Sequence, residues 1–369
     1  MTIAVTAASG KLGSEIVRAV SELATHSVVG IARTPAKAEH LGVDIKKGDY
    51  NSRTELEDSL RSVRTLLLVS GMAEPSERVE QHRNVIQAAK NVGVRKIVYT
   101  SVQGAETGNA FSAIVQSNRQ TEQDVRDSGL DWAIGRNGIY IEPDVDYIDA
   151  YKKSGAIANC AGDGKCGYAT RAELGYAYAR MLTEDMHNGR TYNLHGEALT
   201  QSQLANHLNR AFDTKLIYRE MTVEEFRRER VAELGEFLGG VIAGIYAGIR
   251  EGAVDNPSHF CEAAALLRRH SLRRHNIRRH NLRRRRRRAR QSCDRVLATE
   301  VRTPLHLGRR AAAVLMHIPI DAKVTAFGCD DRAPRHVARP RVLHRAGVDR
   351  AVKGRHARAV GQQQGAVPR

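Results

Sequence analysis

The first 140 residues of this 369-residue chain predict a doubly wound α/β fold with a parallel sheet, and three observations carry that reading. Short β-branched runs alternate with helical patterns, the form that successive βαβ units take in a sequence. A glycine-bearing segment, Thr6-Ala7-Ala8-Ser9-Gly10-Lys11-Leu12-Gly13, joins the first strand directly to the first helix. The helical stretches repeat apolar residues every three or four positions, so each has one face to bury against a sheet.

Strands are predicted at residues 3–6, 28–32, 43–46, 66–70, 97–100 and 132–134. Between them Leu12, Ile16, Val20 and Leu23 share one helix face, as do Val79, Val85, Ile86 and Ala89. Right-handed crossovers then place helices on both faces of the sheet. After Ile141 the pattern turns to α+β. Residues 171–182 read as a helix with Thr170 as its N-cap, and residues 191–194 as a short strand. Thr200-x-x-Gln203 is a capping box that opens a helix through Leu204 and Leu208 to Phe212, and residues 222–250 are helical with glycine interruptions. These elements are too few for a large core of their own. The expected organisation is a cofactor core at 1–142 and a small α+β lobe at 143–260, packed on the strand ends where open α/β sheets bind ligands.

The rest differs in kind. Residues 1–260 hold 30 Lys+Arg against 34 Asp+Glu, whereas residues 261–369 hold 28 against 7, so the formal charge of +17 belongs to the last 109 residues. There Leu267-Arg-Arg-His-Ser, Leu272-Arg-Arg-His-Asn and Ile277-Arg-Arg-His-Asn repeat with a period of five and run into six arginines, Arg283 to Arg288. A period of five builds no apolar face on a helix or a strand, so this segment is expected to be a disordered basic tail. Of its 28 basic residues 26 are Arg, against 20 of 30 in residues 1–260. That skew points first to out-of-frame translation of a GC-rich gene and second to a genuine basic tail. Nucleic acid is expected to bind it only non-specifically, since it lacks interleaved aromatics and any recognisable module. The longest nearly apolar run, residues 237–249, is too short to span a bilayer, and the start shows no leader pattern, so a cytoplasmic chain without membrane insertion is expected. Five cysteines, widely spaced and without a CxxC, indicate neither a disulfide framework nor a zinc site.

The chemistry concentrates at the carboxyl ends of the strands. A dinucleotide pyrophosphate needs a tight turn, close backbone approach and a helix N-terminus with free N–H groups. The segment from Thr6 to Gly13, with Gly10 and Gly13 in a GxxGxxG spacing and Ala7 at its first position, meets those needs and makes the core Rossmann-type. At the end of the second strand, where an NAD-selective site places an acid for the ribose hydroxyls, stands Arg33, suited to a 2′-phosphate, with Lys37 nearby. Asp49 ends the third strand and can accept from the adenine amino group. Ser70, Gly71 and Met72 end the fourth, and Thr100 and Ser101 the fifth. Asn137 can donate to and accept from a carboxamide, Gly138 lets a planar ring near the backbone, and Tyr140 can cover a substrate ring or pack as a core aromatic. His82 is expected to serve helix packing.

Taken with Ala32-Arg33-Thr34-Pro35-Ala36-Lys37-Ala38, Gln81-His82-Arg83-Asn84-Val85-Ile86, Tyr99-Thr100-Ser101, Arg136-Asn137-Gly138 and Ala161-Gly162-Asp163-Gly164-Lys165, the glycine segment resembles the NmrA-like branch of the atypical short-chain dehydrogenases/reductases. Within it the chain is most similar to the bacterial NAD(P)H:quinone oxidoreductases. The resemblance covers residues 1 to about 260. It implies an NADPH-dependent oxidoreductase, with the cofactor along Ala8, Ser9, Gly10, Lys11, Leu12, Arg33, Ser70, Gly71, Met72 and Asn137, and NADPH preferred over NADH. The implied partner is a quinone or similar small acceptor, with a homodimer allowed. Two positions depart from the family pattern: Ala7 replaces the usual first glycine, and Ile139 stands beside Tyr140, in the substrate position, where an aromatic is common. Residues 111–128 contain neither the Tyr nor the Lys of the classical short-chain dehydrogenase pair. Alcohol oxidation through a tyrosinate is therefore not expected, whereas a quinone accepts hydride and can take its proton from water; no catalytic side chain is expected. The family also contains redox-sensing regulators that bind NADP without turnover, and that alternative stays open.

Overall fold

The computed structural model describes residues 1–23 and 26–264. The pentapeptide repeat, the arginine run and the disorder expected for the basic tail lie outside the described residues.

The first half of the chain runs β1 (Thr2–Val5), α1 (Lys11–Glu22), β2 (Ser27–Ala32), β3 (Asp44–Lys47), α2 (Arg53–Leu60), β4 (Thr65–Val69), α3 (Pro75–Asn91), β5 (Lys96–Val102), α4 (Ser112–Arg126) and β6 (Asp131–Asn137). It continues through β7 (Ile139–Tyr140), α5 (Glu142–Asp146), α6 (Ile148–Ser154), β8 (Ala156–Asn159), β9 (Cys166–Ala169), α7 (Arg171–Thr183) and β10 (Arg190–Leu194). Last come β11 (Ala198–Leu199), α8 (Gln201–Phe212), β12 (Ile217–Glu220), α9 (Val223–Leu234), α10 (Glu236–Arg250) and α11 (Phe260–Ala264). The expected Rossmann-type fold is observed. Seven strands form one sheet in the order β10-β6-β5-β4-β1-β2-β3, every neighbouring pair parallel. The order reverses between β1 and β4, so a crevice opens beyond the carboxyl ends of these strands.

Strand alternation divides the core. Ile3 and Val5 pack toward α1 and α7 with Ile16, Val17, Val20 and Leu182. Ala4 faces the other side, where Leu56, Leu60, Val85, Ile97 and Val125 gather between the sheet and α2, α3 and α4. Ile16 is fully buried, so truncation to Ala there would cost about 2 to 5 kcal/mol.

Two elements in the stretch assigned to the lobe belong to this core. β10 pairs with β6 as a parallel edge strand, and α7 lies on α1, with a Cβ at Gly175 placed only 2.9 Å from the Glu15 carbonyl oxygen. The reason is burial: Tyr178, Leu174 and Leu182 on α7 are 0–1% exposed within the same apolar cluster as Ile3, Val5 and Ile16. Residues 261–264, assigned to the basic segment, continue α11, and Ala263 is fully buried against the core.

What remains forms the lobe. β8 pairs with β12, and β9 pairs with β7 and β11. Ile141, Ile157, Leu204, Leu208 and Ile249 make a separate apolar cluster beneath them. The capping box expected at Thr200 is formed, the N-cap expected at Thr170 is formed as a full capping box, and a third box at Thr222 starts α9. Gly235, at φ 82°, turns α9 into α10, so the two helices stand side by side over the carboxyl end of the sheet. Among the described residues no helix is long and apolar enough to cross a membrane, and no group of three or more His, Cys, Asp or Glu could hold a metal ion.

Candidate active site

The turn after β1 is set by backbone contacts. Ala8 N–H donates to the Ile31 carbonyl at 3.0 Å, and Gly10 N–H to the Ala7 carbonyl at 2.8 Å. A Cβ at Gly13 would lie 2.2 Å from that Ala7 oxygen, so glycine is what lets α1 start against the strand end. Ala7 itself has φ 48°, the left-handed region a glycine would occupy without cost. Gly10 caps α1 with no side-chain bond, and the first turn holds no acid. The N–H groups there remain open to an anion, with exposed Ser9, Gly10 and Lys11 around them and Leu12 buried below.

Arg33 is exposed at the end of β2 and has no ion-pair partner among the described residues. Lys37 is exposed in a short 3-10 turn, Pro35–Lys37. Asp49 is half-buried, and its Oδ1 accepts from Asn51 N–H at 2.9 Å. Thr6, Thr100 and Ser101 differ from these because their hydroxyls are committed inward. Thr6 Oγ1 donates to the Leu67 carbonyl and accepts from Val69 N–H, tying β1 to β4, with the Tyr50 hydroxyl 2.5 Å away. Thr100 Oγ1 accepts from Ser70 N–H at 2.9 Å, and Ser101 donates to Glu122 at 2.7 Å. Met72, by contrast, is 83% exposed at the crevice lip.

His82 is fully buried and fixes the loop after β4. Its Nε2 accepts from Gly71 N–H at 3.0 Å, which leaves Nδ1 protonated toward Thr121 Oγ1 at 2.9 Å, and Thr121 donates on to Ser117. Burial, helped by the nearby Arg78 charge, holds the imidazole down at about 3, so it stays neutral. Helix packing alone was expected of it; the geometry adds a hold on the Gly71 backbone in the loop after β4.

On α4 the side chains turned to β5 are Asn118 and Glu122, four residues apart. Asn118 Oδ1 accepts from Tyr99 at 2.6 Å and Ser70 at 3.2 Å. Glu122, fully buried, pairs with Arg119 and Arg126 at 2.9 Å and Arg136 at 2.7 Å. Burial alone would raise its pKa, but hydrogen bonds from Arg136 and Ser101 and the charges of Arg119 and Arg136 outweigh it and hold the carboxylate at about 2. This cluster clamps the ends of β5 and β6 in place.

At the end of β6, Asn137 is 5% exposed. Its Oδ1 lies 2.6 Å from the Tyr178 hydroxyl, and its Nδ2 donates to the Tyr140 hydroxyl at 3.2 Å. The Gly138 backbone is tight for a different reason from the one expected: a Cβ there would sit 2.5 Å from the Gly167 carbonyl oxygen and 2.6 Å from His195 Cβ. Tyr140 and Ile139 are half-buried, with the Arg171 guanidinium 4.8 Å from the Tyr140 ring centroid.

From Asn137 and Tyr140 a cavity of about 590 Å³ extends beneath α9 and α10. Besides Tyr140, its walls include five aromatic side chains: Phe111, Tyr147, Tyr151, Phe226 and Tyr246. Three carboxyl side chains line it, that of Asp144 from α5 and those of Glu229 and Glu233 from α9. None of these five aromatics, nor Asp144, stood out in the sequence, because they come from elements up to 135 residues apart and form no local motif. The nearest signal is Glu142-Pro143-Asp144 directly after the Arg136-Asn137-Gly138 segment.

Comparisons with known proteins agree with the fold. The profile of an NAD(P)H-binding family matches residues 7–162. Quinone oxidoreductase 2 of Escherichia coli (strain K12) is 36% identical over 229 residues, which are 61% of this chain and 79% of that protein. The triphenylmethane reductase of Citrobacter sp., solved with NADP(H), superposes with a TM-score of 0.65 at 31% identity, over 72% of this chain and 96% of its own. The E. coli NADPH-dependent quinone oxidoreductase, solved with NADPH, superposes with a TM-score of 0.60 at 32% identity, over 71% of this chain and 98% of its own.

Proposed function

The chain belongs to the NmrA-like NAD(P)H-binding oxidoreductases, and from that premise we propose that it reduces a quinone-type acceptor with NADPH. NADPH, when bound, supplies the hydride. The N–H groups of the first turn of α1 would take its pyrophosphate, and unpaired Arg33 its 2′-phosphate, through a charge-assisted contact that NADH cannot make. Asn137, held by Tyr178, turns its amide nitrogen toward Tyr140 at the cavity mouth, where a nicotinamide ring and a planar acceptor would meet.

The observation that carries the reading is the aromatic cavity opening from Asn137 and Tyr140, combined with an α4 that presents Asn118 and Glu122 rather than an acid–base pair for alcohols. Flat, electron-poor rings stack on aromatic side chains of this kind. The test is NADPH consumption by the purified chain with a panel of quinones, followed by absorbance of the reduced nicotinamide. Acceptor-dependent oxidation with saturation supports the reading. Tight NADPH binding with no acceptor-dependent oxidation overturns it in favour of a redox sensor.

A further inference from the structure

The cavity holds a carboxyl group that hydride transfer does not require. Asp144 is 3% exposed on α5, and its Oδ1 accepts from the Tyr151 hydroxyl at 2.9 Å. That is the one side-chain hydrogen bond it makes among the described residues. A buried carboxylate ordinarily meets an Arg, a Lys or several N–H donors, because its charge is expensive to remove from water. Asp144 meets none of these.

Tyr151 approaches it from α6, Cys166 and Tyr168 from β9, and Tyr246 from α10, each with its pKa raised, chiefly by burial, and so neutral near pH 7. The charged Arg219, Glu229 and Glu233 line the same cavity. Arg230 of α9 acts on Tyr151 and Tyr246, and it is paired with Glu233 at 2.6 Å. On α5 itself, Glu142 is bound to Arg171. With burial pushing up and the Tyr151 hydrogen bond pulling down, the Asp144 carboxyl settles at about 6. It therefore carries its proton in part of the population at neutral pH, inside the space where the acceptor would sit.

Two-electron reduction of a quinone takes one hydride and one proton. Resting on the quinone reading above, we propose that Asp144 delivers that proton, with Tyr151 as the residue that positions its carboxyl. The acceptor gains the hydride with its electron pair from NADPH, and negative charge collects on a ring oxygen. The O–H bond of the Asp144 carboxyl breaks, its proton forms the new O–H bond of the hydroquinone, and the electron pair stays on Asp144 as carboxylate. Solvent returns the proton past Tyr147 and Glu233, which line the same cavity and are 37% and 42% exposed, respectively.

The test uses the full chain and Asp144→Asn, Asp144→Glu and Tyr151→Phe, with NADPH binding followed by nicotinamide fluorescence and the Asp144 carboxyl titrated by carbon NMR. In the wild type, kcat for a soluble benzoquinone should fall about tenfold per pH unit above the Asp144 pKa, and the carboxyl signal should titrate near 6. Asp144→Asn should bind NADPH normally, lose about a hundredfold in kcat at low pH and lose the pH limb; Asp144→Glu should recover part of both. Tyr151→Phe should move the limb to higher pH, since its hydroxyl favours the ionised carboxylate. A folded Asp144→Asn with the wild-type pH profile, or a wild-type carboxyl titrating in the ordinary aspartate range, overturns the proposal and leaves the quinone reading standing. A wild type that binds NADPH and reduces no quinone overturns both.

Discussion

Tyr178, fully buried on α7, places its hydroxyl 2.6 Å from Asn137 Oδ1 at the end of β6, and so decides which way the Asn137 amide faces. With the oxygen taken, the amide nitrogen is left to Tyr140 and the cavity mouth. A helix packed on the sheet thus orients the amide that, in the reading proposed above, would meet a nicotinamide.

Removing that hydroxyl should separate orientation from fold. Tyr178→Phe removes the buried hydroxyl that Asn137 Oδ1 shares with the Gly135 carbonyl, at a cost of about 1 to 3 kcal/mol. The urea midpoint should fall accordingly, and NADPH should bind more weakly than the stability loss alone accounts for, as read by calorimetric titration well below the unfolding temperature. Unchanged NADPH affinity would show that the orientation of Asn137 does not matter to the cofactor.

Arg33 offers a cleaner case, because it is exposed and no acid competes for it among the described residues. Arg33→Ala should weaken NADPH by about ten- to hundredfold, the worth of one charged hydrogen bond, and leave NADH almost untouched. Parallel titrations with the two cofactors decide it. Equal losses for both would remove the 2′-phosphate from the account.

The two small residues of the first turn should respond oppositely to what a glycine count suggests. Gly13→Ala drives a Cβ into the Ala7 carbonyl, and α1 must shift, costing about 1 to 3 kcal/mol and most of the cofactor affinity. Ala7→Gly relieves an unfavourable φ but frees the unfolded chain by a similar amount, so stability should change by less than about 0.5 kcal/mol. Thermal melts with and without NADPH distinguish the two.

Acid should loosen the fold in a window set by buried histidines. His82 is held down at about 3 by burial, and His187 at about 4, also mainly by burial. Both have depressed folded-state values, so their contribution is fully present above the ordinary histidine value near 6.5. It is lost as pH falls toward these folded values, with a slope approaching about 1.4 kcal/mol per unit for each group. Glu122, depressed to about 2 against the opposing effect of its burial, adds a second loss only below the ordinary glutamate value of 4.5. Urea denaturation across this range should show a steep fall in the wild type and a shallower one in His82→Gln. Identical pH dependence in the two proteins would assign the acid sensitivity elsewhere.

The parallel sheet, its alternation of strands and helices and the glycine turn after β1 were legible in the chain itself, because each rests on short-range rules. Alternation of Ile3, Ala4 and Val5 sorts side chains to opposite faces, the periodic Leu12, Ile16 and Val20 give α1 one buried stripe, and Thr170 and Thr200 announce their helices by spacing alone. Arg33 and Asn137 were visible for the same reason, each standing at a strand end that the pattern had already located. Three things were decided only by the tertiary structure. Thr6 and Ser101 look like crevice residues in the sequence, yet their hydroxyls are used by Leu67, Val69 and Glu122, partners 21 to 63 positions away. β10 joins the main sheet because β6 offers an unpaired edge, which no local pattern records. Asp144 has an unremarkable sequence setting, and what pushes its pKa up is burial among side chains of β9, α6 and α10, a property of the assembled lobe that no single segment carries.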